Sequence, residues 1–198
     1  MEKILLNLGL SFTLSKLLPY LTMVVIGVLL LRWALRSNRI QNKIAKISIG
    51  VLLLLLPFGV YFALNPIYQG DFSTNGKKIM VLNSKTILMK DGLLVLAIPG
   101  CPYCFESIAA LKEMKKHDPS LKIQFAVTGT EDKSTIEPYV KEADGKFKVV
   151  LMENTKALVG ETGGKFPTFI MVNKGKAVYA WTNDQFGVRA KDRVENWD

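Results

Sequence analysis

The chain has 198 residues, of which 49% are hydrophobic, and a formal net charge of +9. Seven Lys/Arg stand against one Asp/Glu before Gly70, and nineteen against sixteen from Gly70 onward. So apolar a composition excludes intrinsic disorder, the crowding of apolar residues into the first third excludes a wholly soluble protein, and a total of two cysteines excludes a disulfide-stapled mini-scaffold.

Ile47 to Leu64 is eighteen residues without a charge, close to the roughly 20 that a helix needs to cross a hydrocarbon core about 30 Å thick. Leu17 to Leu35 is apolar apart from Arg32 near its end, from where a long side chain reaches the headgroups. Two transmembrane helices are expected, about 17–35 and 47–64, with Ile4 to Ser15 either extending the first or lying at the interface. Pro19 and Pro57 fall inside these spans, where neighbours can satisfy the freed carbonyls. The competing reading of the first run is a cleaved signal peptide, but no small-x-small site follows it and the chain runs directly into the second span. Arg32, Arg36, Arg39, Lys43 and Lys46 crowd the connection between the spans. The positive-inside rule places that connection in the cytoplasm, and both termini with the whole second domain outside. A basic run of this kind can also be a nucleic-acid patch; its place between two spans favours topology and membrane lipid, and no nucleic-acid partner is expected.

Asn65 to Gly70 reads as a short connector, dividing a membrane anchor (1–69) from a soluble domain (70–198). Leu93 to Ile98 is a short continuous apolar run, a strand buried on both faces. From 102 to 116 a helix is expected, with Ile108, Leu111 and Met114 on one face and Lys112, Glu113, Lys115 and Lys116 on the other. Ile123 to Thr128 is a second strand, Ser134 to Ala143 a helix, Phe147 to Met152 a third strand and Thr155 to Glu161 a short helix. Thr168 to Asn173 and Lys176 to Thr182 flank a Lys174-Gly175 hairpin turn. The fold class is therefore α/β, a mixed sheet covered by helices.

Cys101 and Cys104 lie at the junction of the buried strand and the amphipathic helix. Pro102 suits the first helical position, so the helix begins directly after Cys101. First-turn N–H groups and the positive end of the helix dipole then favour the Cys101 thiolate, the nucleophile of disulfide exchange. Cys104, one turn on, is placed to attack a mixed disulfide at Cys101 and expel the partner. A structural zinc site needs four ligands, and beyond these cysteines there is one histidine, His117, so no metal is expected. An inert structural disulfide is the other alternative, although a ring this small adds little loop-closure stabilisation. His117 is expected to sit on the surface without a role.

The strand, then CPYC, then the amphipathic helix, then KFPTFIMVNKGK more than sixty residues later resemble the thioredoxin fold. The upstream segment DFSTNGKKIMVLNSKTILMKDGLLVLAI and the run from Val149 to Trp181 resemble its membrane-anchored, extracytoplasmic branch related to TlpA and ResA. The resemblance spans residues 71 to 182. It implies a thioredoxin-like mixed sheet and a thiol-disulfide oxidoreductase without a cofactor. It also implies a cis-proline at Pro167, preceded by Phe166, packing against the cysteine pair and, with Pro102 and Tyr103, meeting the substrate.

The sequence departs from that pattern at Gly100, where the family often has tryptophan, and at Val95, where many thioredoxins carry a buried acid. Glu106 is the carboxylate nearest in sequence that can assist Cys104, or else an ordinary first-turn helix charge. CPYC itself resembles glutaredoxin, yet the Gly-Gly-x-x-Asp segment that holds glutathione after the cis-proline is absent, Gly163-Gly164 preceding Pro167 instead.

The expected function is a two-pass inner-membrane oxidoreductase working on extracytoplasmic protein thiols and disulfides; the sequence itself does not set the direction of electron flow, and the resemblance implies a reductant. Its anchor has no cysteine to relay electrons, so a separate transmembrane redox partner is implied. A non-catalytic adaptor with a permanently bonded cysteine pair is the alternative. Metal delivery to an oxidase ranks behind it, since no further ligand stands near Cys101.

Overall fold

The computed structural model describes residues 2–36, 42–65, 77–78, 89–128, 133–152 and 163–196. The chain forms two compact units, Met1–Tyr68 and Gln69–Asp198.

The first unit holds three helices, α1 (Glu2–Asn7), α2 (Phe12–Arg36) and α3 (Lys43–Leu64). α1 ends where Gly9 takes a left-handed φ of 81° and the Gly9 amide bonds back to the Leu6 carbonyl. Phe12 to Ser15 therefore extends the long helix, while Glu2–Asn7 is a separate element tied to it by an ion pair from Glu2 to Lys16 at 3.2 Å. The Tyr61 hydroxyl of α3 donates to the same carboxylate at 3.4 Å. Asn42 caps α3 by accepting the Ile44 amide at 3.0 Å.

Two glycines set how closely α2 and α3 approach. A Cβ on Gly27 would stand 2.7 Å from the Leu54 carbonyl oxygen, and one on Gly50 2.7 Å from Leu31 Cδ1; small residues permit this approach where packing, not hydrophobic expulsion, joins helices. The apolar side chains of Leu21, Val25, Leu29, Leu52 and Leu55 point outward. Both long helices have the length and apolar content to cross a membrane, and Pro19 and Pro57 lie inside them.

The second unit is a six-stranded mixed sheet with helices packed on it. Its strands are β1 (Lys77–Lys78), β2 (Gly92–Ala97), β3 (Ile123–Thr128), β4 (Lys148–Met152), β5 (Thr168–Asn173) and β6 (Lys176–Thr182), in the spatial order β1-β6-β5-β2-β3-β4. β2, β3 and β4 run parallel, and β5 is antiparallel to both β2 and β6. α4 (Pro102–His117) connects β2 to β3. α5 (Glu137–Ala143), entered through a 3-10 turn at Lys133–Ile136, connects β3 to β4, and α6 (Val188–Glu195) follows β6.

β2 is central, and Leu93 to Ala97 have no exposed surface, as a strand covered on both faces requires. Leu94, Leu96, Ala126, Ile170 and Val172 form the core on one face. Phe125 and Phe169 belong to the other, where the Tyr139 ring of α5 stacks on Phe125 and Phe186, just ahead of α6, stacks on Phe169 with centroids 3.8 Å apart.

Three elements differ from the sequence expectation. The helix from Ser134 is instead a 3-10 turn followed by α5. Pro138 has no N–H to give and is accommodated in the first turn of α5, not in the interior of a longer helix. β1 pairs Lys77 with Ala180 and Lys78 with Tyr179; two adjacent lysines have little strand propensity of their own. α6 carries too few apolar residues to reveal a period and is held by burial of Val188, Ala190 and Val194. The expected helix at Thr155–Glu161 and most of the connector, residues 66–70, lie outside the described residues.

Candidate active site

β2 delivers the chain to Ile98, Pro99 and Gly100. Gly100 takes a φ of 68°, a left-handed conformation that a tryptophan there would adopt only with strain. That turn lets Cys101 enter in extended conformation as the N-cap of α4, with Pro102 at the start of the helix. The Cys104 amide donates to Cys101 Sγ at 3.2 Å, so a first-turn N–H does point at this sulfur. Cys101 and Cys104 are joined as a disulfide with Cα atoms 5.2 Å apart.

The two sulfurs live in different surroundings. Cys101 is half-buried, whereas Cys104 has no exposed surface. Ser107 Oγ donates to the Cys104 carbonyl at 2.7 Å, and Ile108, Leu111 and Met114, all fully buried, seat the helix. Pro102 is exposed and Tyr103 is 61% exposed, so both residues between the cysteines face outward. Val95 is fully buried, and that strand position brings no carboxylate under the pair.

The Phe166–Pro167 peptide bond is cis. Thr168 pairs with Leu96 across the β2–β5 ladder, which brings the buried Pro167 to the same end of the sheet as the Ile98–Cys101 turn. The Thr168 hydroxyl donates to the Lys165 carbonyl. Phe166 packs its ring against the core of Leu94, Leu96 and Ile170.

Tyr139, which the sequence did not single out, braces this turn. Its hydroxyl donates to the Ile98 carbonyl at 3.0 Å, and its ring stacks on Phe125 and meets Phe105 edge-on at 6.0 Å. The only available signal was an aromatic residue within a short polar helix. Beside Cys101 opens a groove of about 560 Å³, walled by Gly100, Pro102, Phe105, Thr135, Pro138 and Tyr139. Glu106 stands on the same groove, exposed, while Cys104 points into the interior. Its carboxylate therefore shares Cys101's side of the helix.

His117, expected on the surface, is instead engaged. Its side chain is 18% exposed, and Nδ1 lies 2.8 Å from Glu195 Oε2, joining the C-terminal end of α4 to that of α6. Glu195 is itself 8% exposed. Burial pushes its carboxyl up to about 7, with the facing His117 charge pulling the other way. Among the described residues, no three His, Cys, Asp or Glu side chains gather to hold a metal ion.

No family model matches the sequence, and no curated protein is detectably similar to it. Solved structures of similar shape include a thiol:disulfide interchange protein from Bacteroides sp., with 17% identity, TM-score 0.43, and 65% of this chain and 90% of that one covered. The thioredoxin domain of a thiol-disulfide oxidoreductase from Bacteroides vulgatus has 19% identity and a TM-score of 0.42, covering 57% and 84%. The apo Sco1 protein of Thermus thermophilus has 18% identity and a TM-score of 0.40, covering 65% and 93%. Likenesses this distant fix neither activity nor substrate. The fold is thioredoxin-like by its own topology: a β-α-β unit whose helix starts at CxxC, a cis-proline opening the antiparallel β5, and a closing hairpin and helix.

Proposed function

We propose that the protein is a membrane-tethered thiol-disulfide oxidoreductase acting on extracytoplasmic proteins. The observation that carries this reading is the asymmetry of the pair: Cys101 is half-exposed at a helix N-terminus and accepts an amide hydrogen bond, while Cys104 is buried one turn on. The same amide and the helix dipole favour a thiolate at Cys101 once the pair is reduced.

In the reducing direction, the Cys101 thiolate attacks one sulfur of a substrate disulfide. A Cys101–substrate disulfide forms and the first substrate thiolate leaves. Cys104 gives up its proton and attacks Cys101 Sγ, and the second substrate thiolate leaves with the electron pair. The product is the Cys101–Cys104 disulfide, which a dithiol partner returns to the reduced state by the reverse exchange. Pro167 and the Phe166 backbone, at the same sheet end, offer an extended substrate a strand-like edge, and the outward Pro102 and Tyr103 meet it from the helix.

α2 and α3 serve as the anchor. Arg32, Arg36, Lys43 and Lys46 cluster at their connected ends, and the positive-inside rule favours an orientation with those ends in the cytoplasm and the second unit outside. The resemblance of residues 71–182 to the anchored extracytoplasmic branch supports both the location and the reducing direction. Electrons then arrive from a separate transmembrane donor, since the anchor contains no thiol.

The test uses the full chain in detergent micelles with dithiothreitol as electron source and insulin as substrate. Wild-type protein accelerates precipitation of the insulin B chain, and Cys101→Ser lowers the rate to that of dithiothreitol alone while the circular dichroism spectrum is unchanged. Retained acceleration by a folded Cys101→Ser protein overturns the assignment.

A further inference from the structure

We infer that the groove beside Cys101 is a side-chain subsite that selects substrates with an apolar residue next to the cysteine under attack, and disfavours acidic thiols. The inference rests on the disulfide-exchange reading and adds the substrate class. Cys101 is itself part of the groove wall, so any molecule whose sulfur bonds to Cys101 has its flanking residues at the groove mouth. The reaction thus fixes the occupant: the chain on either side of the substrate cysteine.

The remaining wall decides its chemistry. Pro102, Pro138 and the rings of Phe105 and Tyr139 present carbon, and Phe105 keeps 42% of its surface exposed. A volume of about 560 Å³ accommodates a leucine or a phenylalanine side chain with room to spare. The wall is also held in place before anything binds, because Tyr139 is tied to the Ile98 carbonyl and wedged between Phe105 and Phe125; a preformed site spares the occupant the cost of ordering it. Neither Phe166 nor Pro167 belongs to this wall, so the subsite is separate from the strand-like edge.

Among the described residues, Glu106 is the charged one on the groove. A carboxylate here repels an acidic neighbour of the substrate cysteine while leaving an apolar one untouched, a selection by repulsion as well as by contact. Glutathione, an acidic tripeptide without an apolar side chain, fits neither feature.

The test compares symmetric disulfides of blocked pentapeptides in which both neighbours of the central cysteine are leucine, serine or aspartate. Full-length Cys104→Ser protein in detergent micelles is reduced, freed of reductant and mixed with each peptide, and formation of the Cys101–peptide disulfide is followed by mass spectrometry. Cys101 thiolate displaces one peptide thiolate and keeps the other peptide, so each event yields one adduct and one free peptide. The leucine peptide is expected to react about tenfold faster than the serine peptide, the factor set by burying most of one such side chain. The aspartate peptide and oxidised glutathione are slowest, and adding salt narrows their deficit.

Phe105→Ser and Pro138→Glu, each combined with Cys104→Ser, should bring the leucine-to-serine ratio to within about twofold. Pro138 is exposed, and Pro138→Glu places an acid in the first turn of α5, where the helix dipole favours it, so it reads the groove even if Phe105→Ser disturbs folding. Equal rates for leucine and serine peptides in the parent, or a preference unchanged by Pro138→Glu, overturn the subsite and leave disulfide exchange standing. Absence of any adduct at Cys101 overturns the exchange reading itself.

Discussion

Cys101 and Cys104 are three positions apart, yet α4 gives them opposite environments. The first is the N-cap, reached by solvent and by the Cys104 amide; the second is sealed in the core. In reduced protein under native conditions, iodoacetamide should therefore modify Cys101 at least about ten times faster than Cys104, since thiolate fraction and access both favour it. Peptide mapping after brief alkylation checks this, and equal labelling contradicts it. At the far end of the same helix, His117 and Glu195 give a pH dependence. The Glu195 carboxyl is raised from 4.5 to about 7 in the folded protein. A raised pKa means that its contribution to stability is fully present below about 4.5 and is lost as pH rises through 7. Relative to Glu195→Gln, the wild-type melting temperature should fall between pH 4.5 and 8; a difference independent of pH contradicts the burial of this carboxyl.

Among the elements, β2 is the one on which the site depends most, and its start is sterically exacting. Gly92 has a φ of 126°, and a Cβ there would stand 2.2 Å from the Lys122 carbonyl oxygen, which accepts the Leu93 amide at 2.8 Å. Gly92→Ala is expected to destabilise the protein by on the order of 3 kcal/mol through strain and loss of that contact, read as a lowered midpoint in thermal unfolding. Unchanged stability contradicts the tight approach of β2 to the Lys122 carbonyl. Elements whose own residues carry their signal were legible without coordinates: the uninterrupted run of β2, the one-sided apolar period of α4, and the hairpin at Lys174-Gly175, whose two residues both have positive φ. Those that depend on partners were not. β1 is a strand only because β6 offers it an edge, and α6 only because Val188, Ala190 and Val194 find cover. In the site, Cys101, Cys104 and Pro102 announce themselves by spacing. Tyr139 does not, because its role is a hydrogen bond to Ile98, forty-one residues away in sequence.

For the whole molecule, the proposed function assigns anchoring to α2 and α3 and the chemistry to the second unit, outside the membrane. In a Cys101→Ser/Cys104→Ser background, a cysteine at Asn42 should resist a membrane-impermeant maleimide in intact cells, and one at the exposed Asp184 should react. The reverse pattern overturns the orientation argued from the basic ends of α2 and α3. The reducing direction is tested in the same cells by acid quenching and alkylation, with the pair of the wild-type protein expected to be mostly reduced at steady state and a fully oxidised pair contradicting it.

The central claim is that Cys101 attacks and Cys104 resolves, and the most direct measurement is a trapping experiment on membranes expressing single-cysteine forms of the full chain. Cys104→Ser should accumulate disulfide-linked adducts with other proteins that vanish on adding dithiothreitol, and Cys101→Ser should accumulate few or none. Adducts that form through Cys104 in the Cys101→Ser protein, or an absence of adducts from both, contradict that assignment of roles.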